Sequence, residues 1–209
     1  MASSVIHMIV ANEINKTLKR NNKLILMGSI APDISKHIGK TKAESHFLDN
    51  INSDIPNTIK FLKKYKNYMN NDFILGYYIH LYTDYLWFKY FITEIYNEKN
   101  NELLKIDGNT IKCNKIELDK YIYNDYSNLD IALINKYNID LNIFNDIPSI
   151  NNIIKEIPIN TVNIMIDKIL YIINNSKVNE ELIFNIDNIK KFINISTILI
   201  LSKINELNL

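Results

Sequence analysis

Apolar residues recur at every third or fourth position through most of the chain, and that spacing predicts helices. Ser3 or Ser4 can cap a first helix reaching about Arg20, in which Val10, Ala11, Ile14 and Leu18 form the apolar face and His7 falls on the same face. The stretch 24–33, LILMGSIAPD, carries Gly28 and Pro32, which predicts a buried extended turn delivering Asp33. A short helix around His46 follows. Asp54 then caps a helix with Pro56 in its first turn, running to about Met69. From a cap at Asn71 or Asp72, the most apolar stretch of the chain predicts a central helix over about 72–98. Phe73 to Phe91 approaches membrane-span length, but His80, Asp84 and Lys89 interrupt it and place it inside a bundle.

The pattern changes once. Residues 103–113, LLKIDGNTIKC, alternate around Asp107-Gly108 and predict a small β-hairpin. Helical spacing then returns over 116–137, in a short piece near Pro148, over 159–174 and over 179–207, where the apolar run Ile195 to Ile200 predicts a helix packed into the bundle. The expected fold is all-α: one helical domain, 1–209, built around the central helix, with the candidate chemistry in 1–98 and a helical part, 115–209, to which no role attaches.

Composition supports helices, since four Gly and four Pro in 209 residues leave little punctuation for a many-stranded sheet. A formal net charge of +1, with Lys spread along the whole length, gives no stripe for a phosphate backbone, so nucleic acid is not an expected partner. The single cysteine, Cys113, cannot form an intramolecular bridge and reads as a small buried side chain. No basic leader precedes the apolar run from Val5 to Val10, which His7 breaks, so the expected compartment is the cytoplasm.

Candidate chemistry begins with His80 and Asp84, one helical turn apart, their Cβ atoms about 6 Å from each other on a shared face. A carboxylate in so apolar a stretch needs a metal, a cation or several hydrogen-bond donors. The blandest solution is that His80 and Asp84 pair with each other. Four further positions qualify as partners: His7, Asp33 in GSIAPD, His46 in SHF, and His37 in SKHIGK, the last most simply an exposed loop residue. Tyr77, Gly76, Thr83 and Trp87 share the stripe of His80 and Asp84; Gly76 would leave space, and Tyr77 or Thr83 could hydrogen-bond a liganding carboxylate or a substrate oxygen.

In order and local context, His7, Asp33, His46, His80 and Asp84 resemble the zinc-dependent phospholipase C family, helical metallohydrolases whose relatives include single-strand-specific nucleases. The resemblance covers roughly the first ninety residues. It implies that His46, His80 and Asp84 hold a zinc ion, that His7 serves a neighbouring metal, and that Asp33 lies at the metal and orients or deprotonates the attacking water. Such a donor set suits zinc, which takes imidazole nitrogens and carboxylate oxygens at about 2.0 to 2.2 Å and leaves one position to water when catalytic. Manganese and iron are alternatives. The implied activity is hydrolysis of a phosphate ester, with phospholipid as a candidate substrate. The alternative is a non-catalytic helical scaffold or interaction domain with a structural or lost metal.

The departures reduce the expected centre. His80 is the last histidine, whereas the phospholipases hold a further metal with downstream histidines and a glutamate. Glu94 and Glu98 return to nearly the same face but lie about 21 and 27 Å farther along the axis. The processed first residue, whose amino group is a ligand in secreted members, has no counterpart evident in Met1 to Ser4. One ion with three to five of the named ligands, or two ions bridged by Asp84 or Asp33, remain as the expected centres.

Overall fold

The computed structural model describes residues 1–175 and 180–209. Its helices are α1 (Ser4–Leu18), α2 (Asn22–Ile30), α3 (Ile34–His37), α4 (Lys42–Ser45), α5 (Thr58–Tyr65), α6 (Asp72–Leu86), α7 (Ile92–Ile95), α8 (Lys115–Tyr137), α9 (Val162–Asn175) and α10 (Ile186–Glu206). The fold is all-α, with α6 and α1 at the centre of the core: Phe73, Leu75, Tyr77, Tyr78, Ile79 and Leu81 of α6 are buried, as are Ile6, Met8, Ile9 and Val10 of α1. α1 packs on α2, α6, α8 and α10.

Local chemistry accounts for most helix starts. Ser3 caps α1 by accepting from the Ile6 amide, Asn71 caps α6 through Phe73 and Ile74, and Asn114 with Glu117 forms a reciprocal capping box on α8. α5 is capped by Asn57 rather than Asp54, leaving Pro56 just outside the helix, and the helix closes in a 3₁₀ turn at Lys66–Tyr68.

The largest correction concerns 24–33. Instead of an extended turn, residues Asn22–Ile30 form α2, capped by Asn21, and a 3₁₀ turn, Ala31–Asp33, carries Pro32 where its missing amide costs nothing. Gly28 serves packing, not a bend. A Cβ on Gly28 would stand 2.1 Å from the Phe73 carbonyl oxygen, and one on Gly76 would stand 2.2 Å from that of Ile25. The two helices meet backbone to backbone, and only glycine allows it.

α6 also ends sooner than the predicted 98. A π turn, Trp87–Phe91, interrupts it one turn past Asp84, α7 follows, and Tyr96–Asn97 becomes a strand. That strand, β1, pairs antiparallel with β2 (Glu102–Leu104), which pairs with β3 (Thr110–Lys112), so the expected hairpin is the larger part of a three-stranded sheet. The helical piece near Pro148 lies earlier, as a 3₁₀ turn at Leu141–Phe144. The last helix begins at Ile186, not 179, a position outside the described residues, and Asn185 caps it. Its apolar run is only half inside: Ile200 is buried, but Ile195, Ile198 and Leu199 are exposed. α10 is held by Phe192, and the segment before it by Phe184, both edge-on to Trp87. The buried carboxylate of Asp125 accepts the backbone amides of Leu182, Ile183 and Phe184.

Candidate metal centre

Five polar side chains from four parts of the chain converge beside α6. His80 and Asp84 come from α6, His7 from α1, Asp33 from the 3₁₀ turn after α2, and His46 from the residue that ends α4. All are at most 3 % exposed. Their donor atoms form two overlapping groups, His7/His80/Asp84 and Asp33/His46/His80, in each of which the atoms lie within 4.8 Å of one another.

Hydrogen bonds around the site decide which ring nitrogens are free. The Ser29 carbonyl can only accept, so His80 Nδ1, 2.8 Å away, carries the proton and Nε2 keeps its lone pair. His46 is fixed by a chain of hydroxyls. Ser35 donates to the Pro32 carbonyl, and Ser45, 2.6 Å from Ser35 and 3.3 Å from the Lys42 carbonyl, commits its proton to one of these and so accepts from His46 Nδ1 at 2.9 Å. The two free Nε2 atoms then face each other at 3.2 Å. Two lone pairs so placed repel unless something positive lies between them, and two nitrogens on a tetrahedral zinc stand about 3.3 Å apart.

Asp84 completes the cluster. Its Oδ1 accepts the Ala2 amide at 3.0 Å and lies 3.3 Å from His7 Nε2, while its Oδ2 is 3.6 Å from both His46 Nε2 and His80 Nε2. That spacing excludes a simple His80–Asp84 hydrogen bond. Among the described residues, both ring nitrogens of His7, Oδ1 of Asp33 and Oδ2 of Asp84 are buried without a hydrogen-bond partner. Buried polar atoms are rarely left so, and a divalent cation is the partner that satisfies nitrogens and carboxylates together.

Electrostatics points the same way. Burial pushes the His80 imidazole well below its usual range and neighbouring His7 adds to this; burial also lowers His46, against the opposing pull of Asp33. The rings of His7 and His80 stack with centroids 3.7 Å apart. Burial opposes ionisation of Asp33 and Asp84, yet Lys36 beside the first and His7 beside the second hold both carboxyls well below the carboxylate range. Neutral imidazoles at His46 and His80 and ionised carboxylates at Asp33 and Asp84 are the protonation states metal binding requires.

Several supporting groups had no sequence signal beyond proximity. Ser45 precedes His46, but Ser29, Ser35 and the Ala2 amide are placed by tertiary packing alone. Tyr77 donates to the Ser45 carbonyl and so braces α4 instead of bonding a liganding carboxylate, and the space expected beside Gly76 is taken by the Ile25 carbonyl. Thr83 bonds the Ile79 carbonyl of its own helix, and Trp87 packs against Phe91. Phe47, next to His46, sits at φ 54°, a strained conformation held by its contacts with Phe61 and Tyr77. His37 is exposed at the end of α3 and takes no part.

Asp130 of α8 is the remaining buried acid nearby. Ser3, the cap of α1, donates to it at 2.8 Å, and burial pushes its pKa up to about 7. Between the unfolded value near 3.8 and about 7 the folded state holds the proton more tightly, so stability declines as pH rises across that window. Asp130→Asn keeps an acceptor for Ser3 and removes the penalty. Relative to wild type it should gain in thermal midpoint between pH 4 and pH 8; an equal offset at both pH values would refute this.

Fold and donor set together define a helical protein with a buried histidine and aspartate centre suited to zinc. The family model for zinc dependent phospholipase C matches residues 5–156, and the chain belongs to that family. The match takes in α1 to α8 and ends before α9 and α10. No curated protein matches the chain, and no solved structure matches it. Among the described residues, no helix is long and apolar enough to cross a membrane.

Proposed function

We propose that this chain is a metal-dependent hydrolase of phosphate esters, working with a reduced centre built from His7, Asp33, His46, His80 and Asp84. The observation that carries the reading is the facing pair of free nitrogens on His46 and His80, with the unpartnered carboxylate oxygens of Asp33 and Asp84 around them. His80 has one free nitrogen and so serves one ion. Asp84 turns Oδ1 to His7 and Oδ2 to His46 and His80, so the set accommodates either one ion or a pair that share Asp84 through its two oxygens. Zinc is the expected metal, with manganese and iron to be tested beside it. Bound metal supplies Lewis acidity toward water and the phosphoryl group.

The protein's own contribution is placement and proton handling. Asp33 lines a cavity of about 280 Å³ shared with α8 and α9, so it is the group positioned to take a proton from, or to orient, an attacking water. Residues 1–209 act as one unit, because α8 and α9 supply the far wall of that cavity. Phospholipid is the substrate we favour, given the family.

Zinc-loaded protein, prepared without chelator, should hydrolyse chromogenic phosphodiesters or phosphomonoesters. Asp33→Asn should lower the rate about a hundredfold or more while retaining the metal if Asp33 acts chiefly on the water; an equal loss of metal would make it a ligand instead. A second reading, a scaffold with a structural metal, is favoured by the near-complete burial of His7, His80 and Asp84. Stoichiometric zinc with no turnover of any ester would establish it, and metal content below half an equivalent would remove both readings.

A further inference from the structure

Lys36 stands three residues after Asp33 in α3, and its ammonium group is 3.5 Å from Asp33 Oδ1. Pairs of the same spacing elsewhere close fully: Lys16–Glu13 and Lys190–Asp187 both lie at 2.6 Å. The Lys36 ammonium instead stops short of the carboxylate and touches the Met1 sulfur, a weak acceptor. The ammonium is thus held beside the metal ligands in a loose ion pair with Asp33, with N–H donors left over for a further acceptor.

Two cavities meet at this side chain. One, about 280 Å³, reaches Asp33 and has an apolar wall of Met165, Ile169 and Ile173 from α9. The other, about 560 Å³, has a mixed wall, with Lys42 and Asp119 beside Phe88, Ile92, Leu118 and Ile122. Met1, Lys36 and Tyr123 line both. A phosphodiester has this layout, its phosphoryl group lying between two arms, so a diester with one arm in each cavity would bring its phosphorus to Lys36.

Charge demands a cation there. Asp33 and Asp84 carry two negative charges that one divalent ion balances, and a phosphodiester brings a third into a poorly hydrated place. Lys42 is not available in the same way, its ammonium lying over the Phe88 ring. We propose that Lys36 binds the phosphoryl oxygens of the substrate, doing with a side chain what a further metal ion would otherwise do. This rests on the hydrolase reading above, but its test does not need turnover.

Inorganic phosphate is the probe, titrated by calorimetry into the zinc-loaded full chain, with zinc content measured on the same samples. K36M should keep its zinc and its fold, and lose phosphate affinity about tenfold to a hundredfold, the usual scale for a charge-assisted hydrogen bond. K36R, which keeps the charge, should recover most of that loss. On a chromogenic phosphodiester, kcat/KM should fall in parallel. Wild-type affinity for phosphate in K36M, zinc lost in proportion to phosphate binding, an equal loss in K36R, or no phosphate binding by wild type would each overturn the proposal. Lys36-dependent phosphate binding without hydrolysis of any ester would leave it standing and overturn the hydrolase reading instead; turnover unaffected by K36M would do the reverse.

Discussion

His80→Ala is expected to abolish stoichiometric zinc binding, with a fall in affinity of at least about a hundredfold. Residues that merely orient a metal ligand cost about ten- to a hundredfold when removed, and His80 is a candidate donor in both groups of the centre. No neighbour can replace it: Asp84 lies one turn along the same helix and already faces His7 and His46, and His37 is exposed at the end of α3. The same substitution empties a fully buried position and leaves the Ser29 carbonyl without its donor, so the metal-free protein should lose about 2 kcal/mol or more. Metal analysis after dialysis, zinc titration and urea unfolding measure the three effects. A His80→Ala protein that still binds one equivalent of zinc at wild-type affinity would show that the ion is held elsewhere. His37→Ala, removing an imidazole outside the cluster, should change none of them.

The residues of this cluster were legible in the sequence because their chemistry conflicts with their surroundings. A histidine and an aspartate inside the most apolar helix must meet partners, and the other candidates sit in recognisable contexts at His7, Asp33 and His46. Helix caps at Ser3 and Asn71 were readable for a local reason, since a side chain and an amide two or three residues on satisfy each other without distant help.

What stayed hidden depends on distant contacts. Gly28 and Pro32 read as turn residues, and locally that is their commonest use; their role as a close-packing point and a 3₁₀ start exists only once α6 lies alongside. The π turn at Trp87 has no compositional mark, being set by how Phe91, Phe184 and Phe192 pack round the indole. Hydroxyls that fix the His46 tautomer come from residues ten apart, and serine is too common for such a relay to show. Asp54 and Asn57 both suit a cap, and the choice falls to Asn57, whose side-chain oxygen accepts the Lys60 amide while Pro56 stays outside.

Gly76→Ala should destabilise the protein by about 3 kcal/mol or more, the upper end of what overpacking costs, because the atoms in the way belong to a backbone. Considered locally, the substitution ought to help: alanine in a helix interior is favoured over glycine by about 1 kcal/mol. The opposing contact is severe. A methyl on Gly76 would lie 2.2 Å from the Ile25 carbonyl oxygen and 3.0 Å from the Gly28 Cα, so α2 must move away from α6 along the length over which they touch. α2 carries the Ser29 carbonyl that orients His80, hence the same displacement should weaken zinc binding about tenfold or more, although residue 76 touches no ligand atom. Urea midpoints of the metal-free protein and zinc titrations of the folded protein give the two numbers. Gly28→Ala should behave alike, since its methyl would meet the Phe73 carbonyl oxygen at 2.1 Å, and the double variant should cost less than the sum, one separation of the helices relieving both clashes. If either single variant is instead stabilised by its helix propensity, α2 and α6 are not in backbone contact, and the route from Gly28 through Ser29 to the metal centre is broken with it.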